Sequence, residues 1–182
     1  GDVETKIQGQ WGFLLCHDSP SRNYIAGSYP INYLQAIIST ITLEKKAKVL
    51  LVTDACHAGK LAGSKINGSN LTNAELAQQF SNEVKILSCQ SNEFSLESQE
   101  WGGGRGVFSW VLTNGLYGLE DFNNDKKITP RELDNYLSDK VPNITAPHHQ
   151  NPVTIGDKAA IIAYVDELSI QKYTNENSRE LY

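Results

Sequence analysis

The apolar and polar positions of the chain follow two periods that together predict an α/β fold. Two short apolar runs, residues 48–53 and 84–89, contain β-branched residues and predict strands, and the first run is typical of a strand buried on both faces of a parallel sheet. Apolar residues recur at helical spacing over residues 31–41 and 106–114. The order of these segments predicts helices that connect the strands and pack on the sheet.

Local start signals predict two more helices. Thr72–Glu75 and Thr129–Glu132 each form a capping box, in which the Thr hydroxyl and the Glu carboxylate satisfy unpaired amides of the first turn. The second box also has Pro at the first helical position. The two helices are predicted to end near Phe80 and Lys140. After the second helix we predict an irregular stretch at 142–150 and short strands at 153–155 and 159–165.

Two apolar runs deliver reactive side chains at their ends. The run 48–53 leads directly into Asp54-Ala55-Cys56-His57-Ala58-Gly59, and the run 11–16 leads into His17 and Asp18. Ligand sites of open α/β sheets lie just outside the carboxyl ends of the strands. A thiol and an imidazole at two strand ends therefore predict a catalytic pair, with Cys56 as nucleophile and His17 as base. Cys16 and Cys89, which lie within or next to apolar runs, are predicted to be core residues.

Composition narrows the class of protein. The chain has 182 residues, 40% of them apolar, which suits one domain with a single core. Its net charge of −5 argues against a nucleic-acid surface. No apolar stretch reaches the roughly 20 residues of a membrane span, and no segment resembles a signal peptide. Three cysteines without Cys-x-x-Cys spacing indicate a reducing compartment, so we expect a cytoplasmic protein.

The block around Cys56 resembles the Asp-x-Cys-x-x-Gly block of metacaspases and bacterial caspase-like cysteine peptidases. The histidine block departs from that family, because Cys16 and Asp18 flank His17 where the family usually has Gly on both sides. The segments that resemble the family cover roughly residues 11–165 and include, besides the cysteine block, Lys85-Ile86-Leu87-Ser88-Cys89-Gln90-Ser91, Gly106-Val107-Phe108-Ser109-Trp110 and residues 115–133.

The resemblance implies a caspase-like three-layer sandwich, in which a mostly parallel sheet is flanked by helices. It divides the chain into a polar lead segment at 1–10, a peptidase domain at 11–165 and a polar tail at 166–182. In that family a strand, a helix and another strand precede the strand that carries the histidine. We therefore expect the first sheet elements to be missing here, and a complementary N-terminal segment or chain to complete the sheet.

The implied activity is endoproteolysis by a Cys–His dyad. A free thiol near pKa 8.5 is only a few per cent ionised at pH 7, so an imidazolium at His17 would favour the thiolate and then protonate the leaving amine. By resemblance, the backbone amides of Cys56 and Asp18 bind the oxyanion, and the Asp18 carboxylate can stabilise the imidazolium. Self-processing is expected in the loop after the nucleophile, after Lys60 or Lys65.

Substrate preference is predicted to depend on Asp54. In metacaspases the matching Asp lines the pocket for the residue before the scissile bond, and a carboxylate there selects Arg or Lys, with Arg favoured through a bidentate pair. The alternative for Asp54 is a cap at the strand end. Further candidate substrate-binding residues are Asp18, Ser88 and Trp101.

Residues 121–132 fit the spacing of a calcium-binding EF-hand loop. Oxygen side chains occupy positions 1, 3, 5, 9 and 12, so the candidate ligands include Asp121, Asn123, Asp125 and Glu132. Position 6 is Lys126 in place of the usual Gly, which resists the turn required there. The alternative is a turn rich in Asx residues that begins the helix at Thr129. The hypothesis of a Cys–His peptidase requires no cofactor.

Two other classes of function stay open. A caspase-fold interaction module that has lost turnover would explain the altered histidine block. A calcium-responsive binding domain would make the EF-like loop the working part.

Overall fold

The computed structural model describes residues 12–20, 26–62, 73–101, 103–168 and 170–171. Within them the chain is a mixed α/β protein, as the sequence predicts. None of the helices in these ranges has both the length and the apolar character needed to cross a membrane. The strands are β1 (Phe13–Leu14), β2 (Tyr29–Pro30), β3 (Val49–Thr53), β4 (Glu83–Leu87), β5 (Glu97–Ser98), β6 (Arg105–Gly106), β7 (Lys127–Ile128), β8 (Val153–Gly156) and β9 (Ala163–Tyr164), and the helices are α1 (Ile31–Ser39), α2 (Asn73–Asn82), α3 (Val107–Asn114) and α4 (Pro130–Thr145).

The main sheet has three strands in the order β3-β4-β8. β3 runs parallel to β4, with Thr53 opposite Leu87, and β8 runs antiparallel to β4, with Val153 opposite Leu87. All five residues of β4 are buried. The predicted strands at 48–53, 84–89 and 153–155 are therefore confirmed, with ends that differ by one or two residues.

Two hydrophobic clusters pack against β4. The larger cluster joins Val84 and Ile86 to residues of α3 and α4. The smaller cluster joins Leu87 to the start of α1 and to the segment after β3, and its buried members are Ile31, Ala58, Leu61, Leu87 and Cys89. β4 is covered on both sides, so the charges of its buried Glu83 and Lys85 need a partner. They form an ion pair in which Lys85 Nζ lies 2.9 Å from Glu83 Oε1.

The prediction that β3 is buried on both faces is wrong. Its residues alternate between half-buried and exposed, and Leu50 and Val52 are 48% and 44% exposed. Leu51, on the opposite face, packs against the smaller cluster. β3 is an edge strand in the described part of the sheet, so burial on both faces belongs to β4.

The apolar run at 11–16 does not join the main sheet in the residues that are described. Only Phe13 and Leu14 form a strand, and β1 pairs antiparallel with β2 in a separate two-stranded sheet. Phe13 is buried, and Leu14 packs against the smaller cluster. The prediction that Cys16 is a core residue is wrong, because its side chain is exposed. Apolar character alone does not specify which strand a segment pairs with.

α4 confirms the predicted capping box and extends the predicted helix. Glu132 N donates to Thr129 Oγ1 at 3.4 Å, and Thr129 N donates to Glu132 Oε2 at 2.9 Å. The helix continues past Lys140 to Thr145 and contains Pro142. The prediction of an irregular stretch is therefore wrong for residues 142–145, which are helical. The buried face of its last turn, with Val141 and Thr145, provides packing that offsets the lost amide of Pro142.

Glu120 is a buried carboxyl next to the larger cluster. It follows the π-helical turn Gly115–Leu119 that extends α3, and neither carboxyl oxygen has a hydrogen-bond partner in another described residue. Gly115 provides the space, since a Cβ there would lie 2.7 Å from Glu120 Oε2. Burial raises the pKa of Glu120 to about 8, and the neighbouring carboxylates of Glu132 and Asp121 add to the effect.

Some predicted features lie outside the described residues. They are the loop that includes Lys65, the Thr72 capping residue, the lead segment 1–10 and most of the tail after 171.

Candidate active site

Cys56 lies in a tight turn directly after β3. Ala58 N donates to Ala55 O at 3.1 Å and closes the turn, and His57 has a positive φ of 60°. The Cys56 side chain is half-buried, and its Sγ lies 3.9 Å from Ser95 O. The thiol therefore lies just after the carboxyl end of β3, where the sequence predicts it, and the turn leaves its side chain partly exposed.

The end of β4 clamps this turn from one side. Ser88 N donates to Thr53 O at 3.0 Å, which extends the parallel pairing beyond the strands. The Ser88 hydroxyl accepts from Ala55 N and donates to Ala55 O, both at 3.1 Å. Ser88 is fully buried. Its side chain thus positions the residue before Cys56 and does not face a substrate, in contrast to its predicted role in substrate binding.

Cys89 packs against the turn that carries Cys56. Its Sγ lies 3.4 Å from both Ala55 O and Glu93 O, and the side chain is fully buried. Burial raises the pKa of the Cys89 thiol above its ordinary value. The prediction of Cys89 as a core residue is confirmed, and of the two thiols at the end of this sheet only Cys56 is accessible.

The loop after β4, residues 90–96, wraps around the other side of the turn. His57 N donates to Glu93 O at 2.9 Å, and His57 Nδ1 lies 3.1 Å from Ser91 O. The imidazole of His57 packs against Phe94 with ring centroids 5.0 Å apart. These contacts give His57 a structural role.

Gly59 permits this close packing. A Cβ at Gly59 would lie 2.4 Å from Ser91 N and 2.7 Å from Gln90 C, which are backbone atoms with little room to move. The Gly of the Asp-x-Cys-x-x-Gly block is therefore required by the approach of the 90–96 loop.

Glu93 ties this loop to the segment before β8. Its carboxylate accepts from Asn151 N at 2.8 Å, from Asn151 Nδ2 at 2.6 Å and from Gln90 N at 3.1 Å. Partial burial alone would raise the pKa of Glu93, but these hydrogen bonds outweigh it and lower the pKa below its ordinary value. Glu93 thereby stabilises the loop in its ionised form.

We predict that Glu93→Gln lowers the free energy of unfolding by about 1–2 kcal/mol at neutral pH, because charge-assisted hydrogen bonds are replaced by weaker ones. Since the folded pKa is depressed, the contribution of Glu93 is present above the pKa of the unfolded state and is lost as pH falls through the folded pKa. Urea unfolding at neutral and acidic pH measures the difference, which should shrink in acid. Glu97→Gln, on an exposed strand residue, is the matched control. A loss that is the same at both pH values would contradict this role for Glu93.

Asp54 is an exposed carboxylate held by two serines. Its Oδ1 accepts from the Ser95 hydroxyl, and its Oδ2 accepts from the Ser109 hydroxyl and from Ser109 N, the latter at 3.3 Å. Ser109 is the third residue of α3, whose N-cap Gly106 has no side-chain cap of its own. Asp54, which directly follows β3, therefore caps the N-terminus of α3. The positive end of the helix stabilises the negative charge of its carboxylate.

A buried amide extends the network behind Asp54. Gln150 is fully buried, donates to Ser95 Oγ at 3.2 Å and to Ser88 O at 3.1 Å, and accepts from Leu96 N at 2.9 Å. Gln150 thus connects the two serines, Ser88 and Ser95, that hold the strand end carrying Asp54 and Cys56.

His17 lies in an exposed turn after β1. Ser19 organises that turn, because Ser19 N donates to Cys16 O at 3.1 Å and Cys16 N donates to Ser19 Oγ at 2.9 Å. Both His17 and Asp18 are exposed. Leu14, three residues before His17, packs against the cluster that contains Ala58, two residues after Cys56. β1 and the turn that carries Cys56 therefore share one hydrophobic cluster, although β1 is not paired with β3 in the described residues.

Trp101 is half-buried and packs against the larger cluster. Its carbonyl accepts from Gly104 N at 3.2 Å and from Arg105 N at 2.9 Å. Trp101 thus holds the backbone just before Gly106, and its role in substrate binding stays a prediction.

The EF-like loop satisfies its own amides. Asp121 accepts from Asp125 N at 3.1 Å and from Lys126 N at 2.9 Å, and Asn123 accepts from Asp125 N at 2.8 Å. Lys126 adopts a positive φ of 63°, the conformation expected of Gly at this position. Among the described residues, no three His, Cys, Asp or Glu side chains are grouped to hold a metal ion. The observed contacts are those of an Asx-rich turn, which β7 follows before α4 begins, and calcium binding stays a prediction.

Four residues of the site have no predicted role: Glu93, Ser95, Ser109 and Gln150. Ser109 belongs to the Gly-x-Phe-Ser segment, so its position at the opening of a helix was the available signal. The other three lie in polar segments without periodicity, where a single sequence carries no signal for a contact.

Comparisons of the chain with protein-family models, with curated proteins and with solved structures found no match.

Proposed function

We propose that this chain is a caspase-like cysteine endopeptidase that cleaves after a basic residue. The observation that carries the proposal is that Ser95 contacts both Asp54 and Cys56, through its hydroxyl and its carbonyl respectively. An accessible thiol and an exposed carboxylate are thus held at fixed positions at one strand end. A nucleophile beside a carboxylate suits a substrate with Arg or Lys before the scissile bond.

In this proposal Cys56 attacks the peptide carbonyl as a thiolate. His17 favours the thiolate as an imidazolium and then donates its proton to the leaving amine, while water releases the acyl group in the second half of the reaction. The rigid turn from Ala55 to Ala58 supports this role, because a preorganised nucleophile keeps its distance to the carbonyl without reorganisation. The sharing of one hydrophobic cluster by Leu14 and Ala58 supports His17 as the base.

The proposal includes a strand added beside β3. β3 is an edge strand in the described part of the sheet, and the unpaired backbone groups of a sheet edge are a template for pairing. A complementary N-terminal sheet segment, the element expected from the resemblance, would pair with this edge.

A second candidate is a caspase-fold interaction module without turnover. The observation that favours it is the exposure of His17 on a hairpin that is separate from the main sheet. In that case the thiol would be accessible but would lack a base.

A fluorogenic peptide panel with Arg, Lys, Asp or Asn before the scissile bond tests the proposal. Hydrolysis of the Arg and Lys peptides alone is expected. Labelling of Cys56 by an iodoacetamide probe without hydrolysis of any peptide would favour the interaction module, and cleavage after Asp would reject the proposed preference for basic residues.

A further inference from the structure

The carboxylate of Asp54 has few acceptor positions left for a substrate. A carboxylate offers about four lone-pair positions, two on each oxygen. Ser109 occupies Oδ2 with its hydroxyl and its amide, and the Ser95 hydroxyl occupies one position on Oδ1. Among the hydrogen bonds that the described residues make, these three leave one acceptor position open, on Oδ1.

We propose that Ser109 is a specificity-determining residue that limits Asp54 to a single contact with the basic side chain of the substrate; this inference rests on the proposed function. A guanidinium gains its advantage over an ammonium by donating two parallel hydrogen bonds, one to each carboxylate oxygen. With Oδ2 occupied, arginine loses that advantage. Lysine, which acts as a point charge, is then accepted about as well as arginine.

The surroundings prevent the carboxylate from turning to free Oδ2. A Cβ at Gly106 would lie 2.5 Å from Oδ2, so that oxygen packs directly on the backbone at the start of α3. On the other side, fully buried Gln150 donates to Ser95 Oγ at 3.2 Å and fixes the hydroxyl that holds Oδ1. Asp54 is held from both sides yet exposed to solvent, as a substrate-facing group requires.

The test compares kcat/KM for matched Arg and Lys peptides. In the unmodified protein we expect a ratio of Arg to Lys below about threefold, because both side chains make one charged contact. Ser109→Ala frees a position on Oδ2, so the ratio should rise by about tenfold, the effect of one added charge-assisted hydrogen bond. Ser109→Thr keeps the hydroxyl and should keep the low ratio. Ser81→Ala makes the same chemical change on an exposed residue of α2 and should change nothing.

An unchanged ratio in Ser109→Ala, or a ratio already above about tenfold in the unmodified protein, would overturn the inference. Calorimetric binding of acetyl-Ala-Arg-amide and acetyl-Ala-Lys-amide to the Cys56→Ala protein separates this outcome from failure of the peptidase proposal. If no peptide is hydrolysed but both dipeptides bind with the expected ratios, the proposed activity fails and the role of Ser109 stands. If neither dipeptide binds, the role of Ser109 is rejected.

Discussion

Cys56→Ala is expected to abolish peptide hydrolysis, and His17→Ala to lower kcat/KM by about a thousandfold or more, because the two residues act as one unit. In the proposed mechanism Cys56 supplies the electron pair that forms the acyl-enzyme, and no other thiol at this strand end is accessible, since Cys89 is fully buried. In the same proposal His17 supplies the charge that favours the thiolate and the proton that the leaving amine requires. Initial rates with an Arg peptide and an intact-mass measurement of the acyl-enzyme test both statements.

Matched controls exist for each change. Cys16→Ala removes an exposed thiol, and His148→Ala removes an exposed imidazole in the segment after α4, so both should keep near-normal rates. Near-normal hydrolysis by Cys56→Ala would reject the nucleophile. If His17→Ala alone keeps its rate, the base is another group and the dyad is rejected.

Asp54→Ala is expected to lower both peptide cleavage and stability, because the same carboxylate faces the substrate in the proposal and caps α3. Cleavage after Arg and Lys should fall by about a hundredfold, because a single charged contact in the pocket is lost. The free energy of unfolding should also fall by about 1–2 kcal/mol, because α3 loses its only identified side-chain cap and both serines lose their acceptor.

Asp54→Asn separates the two effects. The amide oxygen can still accept at the start of α3, so stability should be largely kept, while the charge and most of the cleavage after basic residues are lost. Asp139→Asn, an exposed aspartate on α4, controls for the change in net charge. Peptide hydrolysis rates and urea unfolding, measured on Asp54→Ala, Asp54→Asn and Asp139→Asn, separate the effect on cleavage from the effect on stability. An unchanged preference for basic residues would move the pocket to another acidic residue, with Asp18 next.

The periods of the sequence predict most of the secondary structure for a local reason. A buried strand, an amphipathic helix and a capping box each depend on residues within a few positions of one another. The strands at β3, β4 and β8, the helices α1 and α3, and the capping box of α4 were predictable on that basis. The location of Asp54 and Cys56 at the end of β3 follows directly from the same pattern.

The sequence by itself therefore determined the order of β3, β4, β8 and the four helices, and it placed a carboxylate and a thiol at the end of β3. Only the tertiary structure decided that β3 is an edge strand, that β1 pairs with β2, and that Ser95 and Ser109 hold Asp54. The physical reason is separation along the chain: these hydrogen bonds join residues 41 and 55 positions apart, and a polar side chain in a loop has no periodicity that identifies its distant partner. Such pairings depend on which surfaces are buried together, and that is settled only when the whole core packs.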